Sequence, residues 1–264
     1  MKYFAAKALS AAAAAAVLFF ICFSLAVGTD SNTADSTTAY NLSSWLAKND
    51  IIIDRELIDT DMQYVAAATM QNAVADHVET ADAVLGGASG TGADTYTGEN
   101  GTLAFSRDSF VLTPSEGLFA SMFSGIDRYN CGRHAESAAE ELGFNLNGSV
   151  ISSEEGDSVF TSVITKTIDS LPVFDDCITL VMSRDGLVSV AGVWYTLESK
   201  GDERPAKSSS DALAELLNSV GGAGRVTVRS MELGYLMEHT GNITELKPVW
   251  RFELDGRDDF YIDA

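Results

Sequence analysis

The chain has 264 residues, 46% of them hydrophobic, and a formal net charge of −21. That length holds one large domain or two small ones. Charge of this sign and size is repelled by a phosphate backbone and excludes nucleic acid as a partner. The carboxylates are scattered rather than blocked, which reads as a solvated acidic surface.

Lys2 and Lys7 precede an uncharged run at residues 8–29, ALSAAAAAAVLFFICFSLAVGT. It is long enough to cross ~30 Å of hydrocarbon as a helix. The lysines favour the cytoplasmic side, so the bulk of the chain is expected outside the membrane. Residues 1–28 are therefore read as a single-pass anchor. Signal cleavage after Gly28 is the rival reading, with Ala26 and Gly28 as the small residues it needs. The alanines at 11–16 permit close approach of a second helix, with Ala12, Ala13 and Ala16 the candidate contacts to a partner helix in the membrane. Compositional bias is an equal reading of the same run. No lipobox precedes Cys22. Residues 29–40 are polar and low in complexity, as a tether would be. Cys131 and Cys177 lie in the external part and read as buried thiols rather than a bridge.

A short helix is expected at 41–48, followed by a brief strand at 51–53. Residues 61–72 read as a strand, with MQYVAAATM ambiguous between strand and helix. Residues 73–85 read as a helix stopped by Gly86-Gly87. A meander follows, with Tyr96, Leu103, Phe105, Phe110 and Leu112 inward and its first turn at 98–101. Residues 127–142 read as a helix with Ala135, Ala138, Ala139 and Leu142 on one face. Residues 158–168 alternate as a strand, and Ile178, Leu180 and Met182 alternate in the next. The turn at 183–186 leads into a strand at 187–197. Ser208 to Asp211 offer N-caps to a helix whose stripe is Leu213, Leu216, Leu217 and Val220, stopped by Gly221-Gly222. Met231, Leu233, Tyr235 and Met237 then alternate as a strand. Trp250, Phe252 and Leu254 face one way, and Phe260 and Ile262 continue that face after the Asp255-Gly256 turn. The expected architecture is α+β: two tandem lobes, 41–120 and 125–264, each an antiparallel sheet with helices packed on one face, behind one N-terminal transmembrane helix.

No motif for chemistry emerges. His77, His134 and His239 lack a second ligand at metal-site spacing. The glycine-rich GGASGTG at 86–92 follows a helix and precedes a strand, the reverse of a phosphate cradle, and reads as a loop. Carboxylate pairs at 140–141, 154–155, 175–176 and 258–259 arise freely in so acidic a chain, and none is picked as an acid/base pair. The Asn-x-Ser/Thr triplets at Asn41, Asn147 and Asn242 read as chance. The chain is read as a non-enzyme, with no cofactor, metal or catalytic residue assigned.

The C-terminal stretch ELGYLMEHTGNITELKPVWRFELDGRDDFYIDA carries a resemblance. Tyr235 in its strand, Pro248 and Trp250 in LKPVWR, the Asp255-Gly256 turn and the closing Tyr261 and Ala264 resemble the C-terminal repeat of the YycH/YycI family, in its YycI branch. The front, NLSSWLAKNDIIIDRELI and ADAVLGG, is similar as well. The polyalanine anchor departs from the Asn-Trp-rich start of that family, and residues 115–170 match only in the order of elements. The resemblance implies an extracytoplasmic regulator of a cell-envelope two-component system. Its implied partners are the membrane, a sensor histidine kinase and a YycH-like protein, with signal transduction by protein contact. A PepSY-like module that binds a peptide or envelope polymer is the alternative. Tyr235, Pro248, Trp250, Asp255, Gly256, Tyr261 and Ala264 are read as structural residues of the family motif. Trp250 and Phe252 are expected to pack toward the 213–220 helix, with Pro248 opening its strand.

Overall fold

A computed structural model describes residues 31–220, 224–241 and 243–264. The chain is α+β, a large mixed sheet with few helices. The anchor at 1–28 and its contacts Ala12, Ala13 and Ala16 lie outside the described residues, as do Gly221 and Gly222. Among the described residues no helix is long and apolar enough to cross a membrane.

The chain forms two compact units, and they are interleaved in sequence. Among the described residues, one comprises 31–63, 207–220, 224–231 and 252–262; the other comprises 64–206, 232–241, 243–251 and 263–264. This partition is not the tandem one the sequence suggests. The physical reason is strand pairing between distant segments, which sequence pattern does not encode.

In the smaller unit, helix α1 (Ser31–Ala47) leads to β1 (Ile51–Ile53). The helix is longer than the one expected at 41–48 and takes in residues 31–40 of the expected tether, a stretch with neither glycine nor proline to stop it. β1 pairs in parallel with the start of β12 (Val226–Thr240), Ile51 opposite Val226 and Ile53 opposite Val228. Helix α5 (Ser209–Val220) buries Ala212, Leu213 and Leu216 completely. Leu217 is only half-buried, so the stripe turns toward Ala212. Phe252 and Leu254, at the end of β13 (Ile243–Leu254), and Ile262 of β14 (Phe260–Asp263) are buried in this unit too. Gly256 turns β13 toward β14 with φ 67°, a conformation that suits a residue without Cβ.

The larger unit contains two groups of strands that share β9 (Leu171–Ser183). In one, β11 (Tyr195–Pro205), β2 (Tyr64–Asn72), β13, β12 and β9 follow one another. In the other, β9 pairs with β10 (Gly186–Val193), and β6 (Ser109–Pro114), β5 (Gly101–Ser106), β4 (Thr95–Gly98) and β3 (Ala88–Gly92) continue outward. β8 (Phe160–Ile168) pairs with β9 on its other side, and β7 (Ser149–Glu155) pairs with β8. The pairing is mixed rather than purely antiparallel, because β12 runs parallel to β9 as well as to β1.

Helices α2 (His77–Leu85) and α4 (Cys131–Glu141) supply Ala81, Val84, Leu85, Ala135, Ala138 and Ala139 to one core with Leu103, Phe105, Phe110 and Leu112. A short α3 (Ala120–Phe123) adds Phe123. Helix α2 starts at His77, four residues later than residue 73, because Asp76 caps it: its carboxylate accepts the N–H groups of Val78 and Glu79. Gly86 then ends it at φ 70° in the left-handed region. Two expectations are corrected. The GGASGTG stretch contains strand β3, held by its ladder to β4 rather than by any strand propensity of its own residues. The strand expected at 187–197 is two strands, β10 and β11, which pair with different neighbours on either side of Trp194.

Gly192 sits where β9 and β10 approach most closely. A Cβ there would stand 2.2 Å from the Cys177 carbonyl oxygen and 2.8 Å from Ile178 Cα, both backbone atoms. Gly192→Ala is therefore expected to destabilise the fold by about 1–3 kcal/mol, the usual cost of overpacking, measured as a lowered urea midpoint with an unchanged slope.

Candidate functional site

The motif residues expected from the resemblance do not converge on one point. Tyr235 is fully buried on β12, opposite Val173 of β9, and its Oη accepts the Ala66 N–H at 3.0 Å. Burial raises its pKa. Trp250 is buried. Pro248 does not open its strand: β13 begins at Ile243, and Pro248 follows the last residue that pairs with β2, Leu246 opposite Ala68. A residue without an N–H is tolerated there, and its carbonyl accepts the Ala264 N–H at 3.0 Å. Asp255 pairs with Arg229 through its side chain and donates its N–H to the Thr227 carbonyl. Tyr261 is partly exposed, at 38%.

The cluster that does converge was missed in the sequence. It lies at Asp175-Asp176, in the middle of the otherwise apolar β9. Here β9 parts from β12 and from β10, while β8 stays beside it with Thr165 opposite Cys177. Its parallel partner β12 matches it at Tyr235 and Val173, and its antiparallel partner β10 matches it as far as Gly192 and Ile178. The two carboxylates take over as acceptors beyond those points. Asp175 accepts the Met237 N–H at 3.0 and 3.1 Å, and Asp176 accepts the Tyr195 N–H at 3.0 and 3.3 Å. Each bond continues a ladder after the main chains have separated, so neither N–H is left bare inside the protein.

Asp176 is completely buried. Burial pushes its pKa up to about 7, against the pull of the Tyr195 N–H and of Lys166, and with a further push from Asp175. Asp175 is also raised, by burial first. Lys166 of β8 is 7% exposed. Its Nζ donates to the Asn147 carbonyl at 2.8 Å and lies 5.2 Å from the Trp194 ring centre. Burial lowers its pKa. Cys177 is a free thiol whose pKa is raised by burial and by the two carboxylates, so it is a poor nucleophile. Cys131 is a buried free thiol.

The Tyr195 hydroxyl extends the network. It bonds to Asp108 and Thr244, and burial with the Asp108 charge pushes its pKa up to about 12. Asp108 also accepts from Asn72 Nδ2 at 3.2 Å, and Thr244 Oγ1 lies 3.1 Å from His239 Nδ1. The arrangement holds strands apart and fixes side chains. Asp175 and Asp176 are engaged by main-chain donors, and Asp108 by side-chain donors. His77 stacks on Phe105 with ring centres 4.2 Å apart and pairs with Asp94 at 3.0 Å; the His134 ring meets Phe123 edge-on. The three histidines thus sit in three different settings. Among the described residues no group of acidic, His and Cys side chains has the arrangement of a metal site.

With this geometry in view, comparison with known proteins gives a likeness of fold. No family model matches the chain, and no curated protein matches it in sequence. Solved structures do. An uncharacterised protein from Eubacterium rectale ATCC 33656 aligns with a TM-score of 0.54 at 12% identity, over 81% of this chain and 86% of that one. YycH from Bacillus subtilis aligns with a TM-score of 0.50 at 13% identity, over 78% of this chain and 51% of that one. The fold is YycH-like. The likeness does not single out YycI, and this chain matches only about half the length of the YycH structure. The C-terminal domain of Bacillus megaterium YpeB aligns at a TM-score of 0.37.

Asp176 makes stability depend on pH in a definite direction. Its folded-state pKa of about 7 lies above the unfolded carboxylate value of about 3.9. Between those values the folded chain holds a proton that the unfolded chain has released. The group's contribution is complete below about pH 4 and is lost as pH rises through about 7. Asp176→Asn removes that titration and keeps an oxygen for the Tyr195 N–H. The melting temperature of the wild-type chain, relative to the variant, is expected to fall from pH 5 to pH 8; parallel curves would place the ionisation elsewhere.

Proposed function

We propose that this protein is a membrane-anchored extracytoplasmic regulator. It binds a sensor histidine kinase of a cell-envelope two-component system and changes its activity by protein contact, beside a YycH-like partner. The single observation that carries this reading is the YycH-like fold across 78% of the chain. The sequence features agree with it: an apolar run at the N-terminus preceded by Lys2 and Lys7, and the strand–turn–strand ending with Tyr235, Trp250 and Asp255-Gly256.

The mechanism is a bias between two kinase packings. A regulator shifts such an equilibrium only by binding one packing more tightly than the other. Here the external units would supply contacts outside the membrane, and the anchor would supply a helix contact within it, through Ala12, Ala13 and Ala16. No catalysis is required. The engagement of Asp175 and Asp176 by main-chain donors supports a structural use of the most buried carboxylates.

The test is recovery of the full-length chain from its own membranes in mild detergent, with mass spectrometry of its N-terminus and of what accompanies it. An intact Met1 and an enriched histidine kinase are expected. Ala13→Leu should reduce kinase recovery several-fold while the amount of folded protein stays the same. A mature end at Thr29 with no kinase would replace the anchored regulator by a released binding module.

A further inference from the structure

Strand β3 is an edge strand. Among the described residues its only strand partner is β4, with Ala88 opposite Gly98 and Gly90 opposite Tyr96. Exposed edges normally carry a device that blocks pairing with another chain. β11 has two irregularities in its register, at 197–199 and 200–203, and ends in Pro205. β7 carries Glu154 and Glu155. β3 reads Ala-Ser-Gly-Thr-Gly, with no charge, no proline and no bulky side chain, and a single irregularity at 90–92.

One outward group of this edge is already used by a carboxylate. The Ala88 N–H donates to Asp82 Oδ1 at 3.2 Å, so it points away from β4. Strand period then directs the Gly90 N–H outward as well. Beside it runs a groove of about 460 Å³ lined by Val78, Glu79 and Asp82 of α2, Ala88 and Gly90 of β3, and Tyr96 of β4. Asp76 and Asp82 are occupied by main-chain N–H groups, whereas Glu79 is exposed. The stretch from Tyr64 to Ser106 holds Asp76, Glu79, Asp82, Asp94 and Glu99 and not one lysine or arginine.

We propose that the outer edge of β3 is a docking strand for an extended, basic segment of a partner protein, which adds to the sheet beside β3. Main-chain hydrogen bonds to the edge supply the register. Every second side chain of the added strand enters the groove beneath α2, where lysine or arginine meets Glu79 and the flanking carboxylates. β3 spans five residues, about 17 Å of added strand, so two or three basic residues at alternate positions fill the site. Charge selects this occupant over a second copy of the same chain, which would bring two acidic grooves together. The inference is independent of the kinase reading. The membrane pull-down and the peptide experiment below succeed or fail separately.

The probe is a labelled ten-residue peptide with lysine at alternate positions, titrated into the full-length chain in detergent and followed by fluorescence anisotropy. An acidic peptide of the same pattern is the control. Binding of the basic peptide alone is expected, weakening as salt rises, with slowed amide exchange at residues 88–92. Glu79→Lys should weaken binding at least tenfold. Gly90→Pro should abolish it. Gly90 is outside the left-handed region, and the strand period that starts from the Ala88 N–H turns its N–H away from β4, so that variant should fold; circular dichroism checks this. If it does not fold, Glu79→Lys and the exchange map decide alone. Absence of binding, binding indifferent to Glu79→Lys, or protection away from β3 would overturn the proposal. So would self-association of the chain that Gly90→Pro dissolves, since the occupant would then be a second copy.

Discussion

The larger unit depends on how β9 leaves two neighbours at once. A strand that serves two groups of partners must part from each, and parting exposes main-chain donors inside the protein, where an unpaired N–H costs about 1–3 kcal/mol. Asp175 and Asp176 meet this need from adjacent positions, whose side chains point to opposite faces of the strand. One takes the Met237 N–H and the other the Tyr195 N–H. With those bonds in place, β10 and β11 can belong to different strand groups although only Trp194 separates them. The buried Lys166, the free Cys177 and the Tyr195–Asp108–Asn72 chain are arranged around that junction.

Such a junction explains why carboxylates are buried here. An ionised carboxylate in an apolar interior is unfavourable unless it is hydrogen-bonded. Asp176 is partly relieved by its N–H donor and by Lys166, and partly by holding a proton near neutral pH. The arrangement favours one way of parting the strands over any alternative pairing in which the carboxylates would lack donors.

Much of the fold was legible where a periodic apolar pattern met a local stop. Helix α4 and its C-cap put Ala135, Ala138, Ala139 and Leu142 in the core, and Leu103, Phe105, Phe110 and Leu112 all point inward as alternation required. Illegible features were those decided by distant partners. The run from Leu187 to Leu197 is mostly apolar and holds no proline, yet the chain changes partners at Trp194. The glycines and small residues of β3 carry no pattern at all, because its ladder to β4 and the Asp82 carboxylate define it. The Asp175-Asp176 pair looked like any other in a chain of 38 acidic residues. Its distinguishing mark was present but unread: two carboxylates interrupting the apolar strand LPVFDDCITLVM. The YycH-like resemblance drawn from the C-terminal strands agrees with the fold of the described residues, whereas the anchor rests on residues outside them.

The interleaving of the two units has a consequence for the order in which the molecule can be made. The smaller unit joins residues near the start of the chain to 207–231 and 252–262. Ile51 and Ile53 have no strand to lie against until Val226 and Val228 have been synthesised. During synthesis, the first unit to begin therefore stays open until residues 252–262 have been made, and its apolar segments stay uncovered for most of that time. Long closing distances of this kind slow folding. A chain exported as it emerges would complete the larger unit's middle first and would need its N-terminal segment kept from other partners until the final strands arrive.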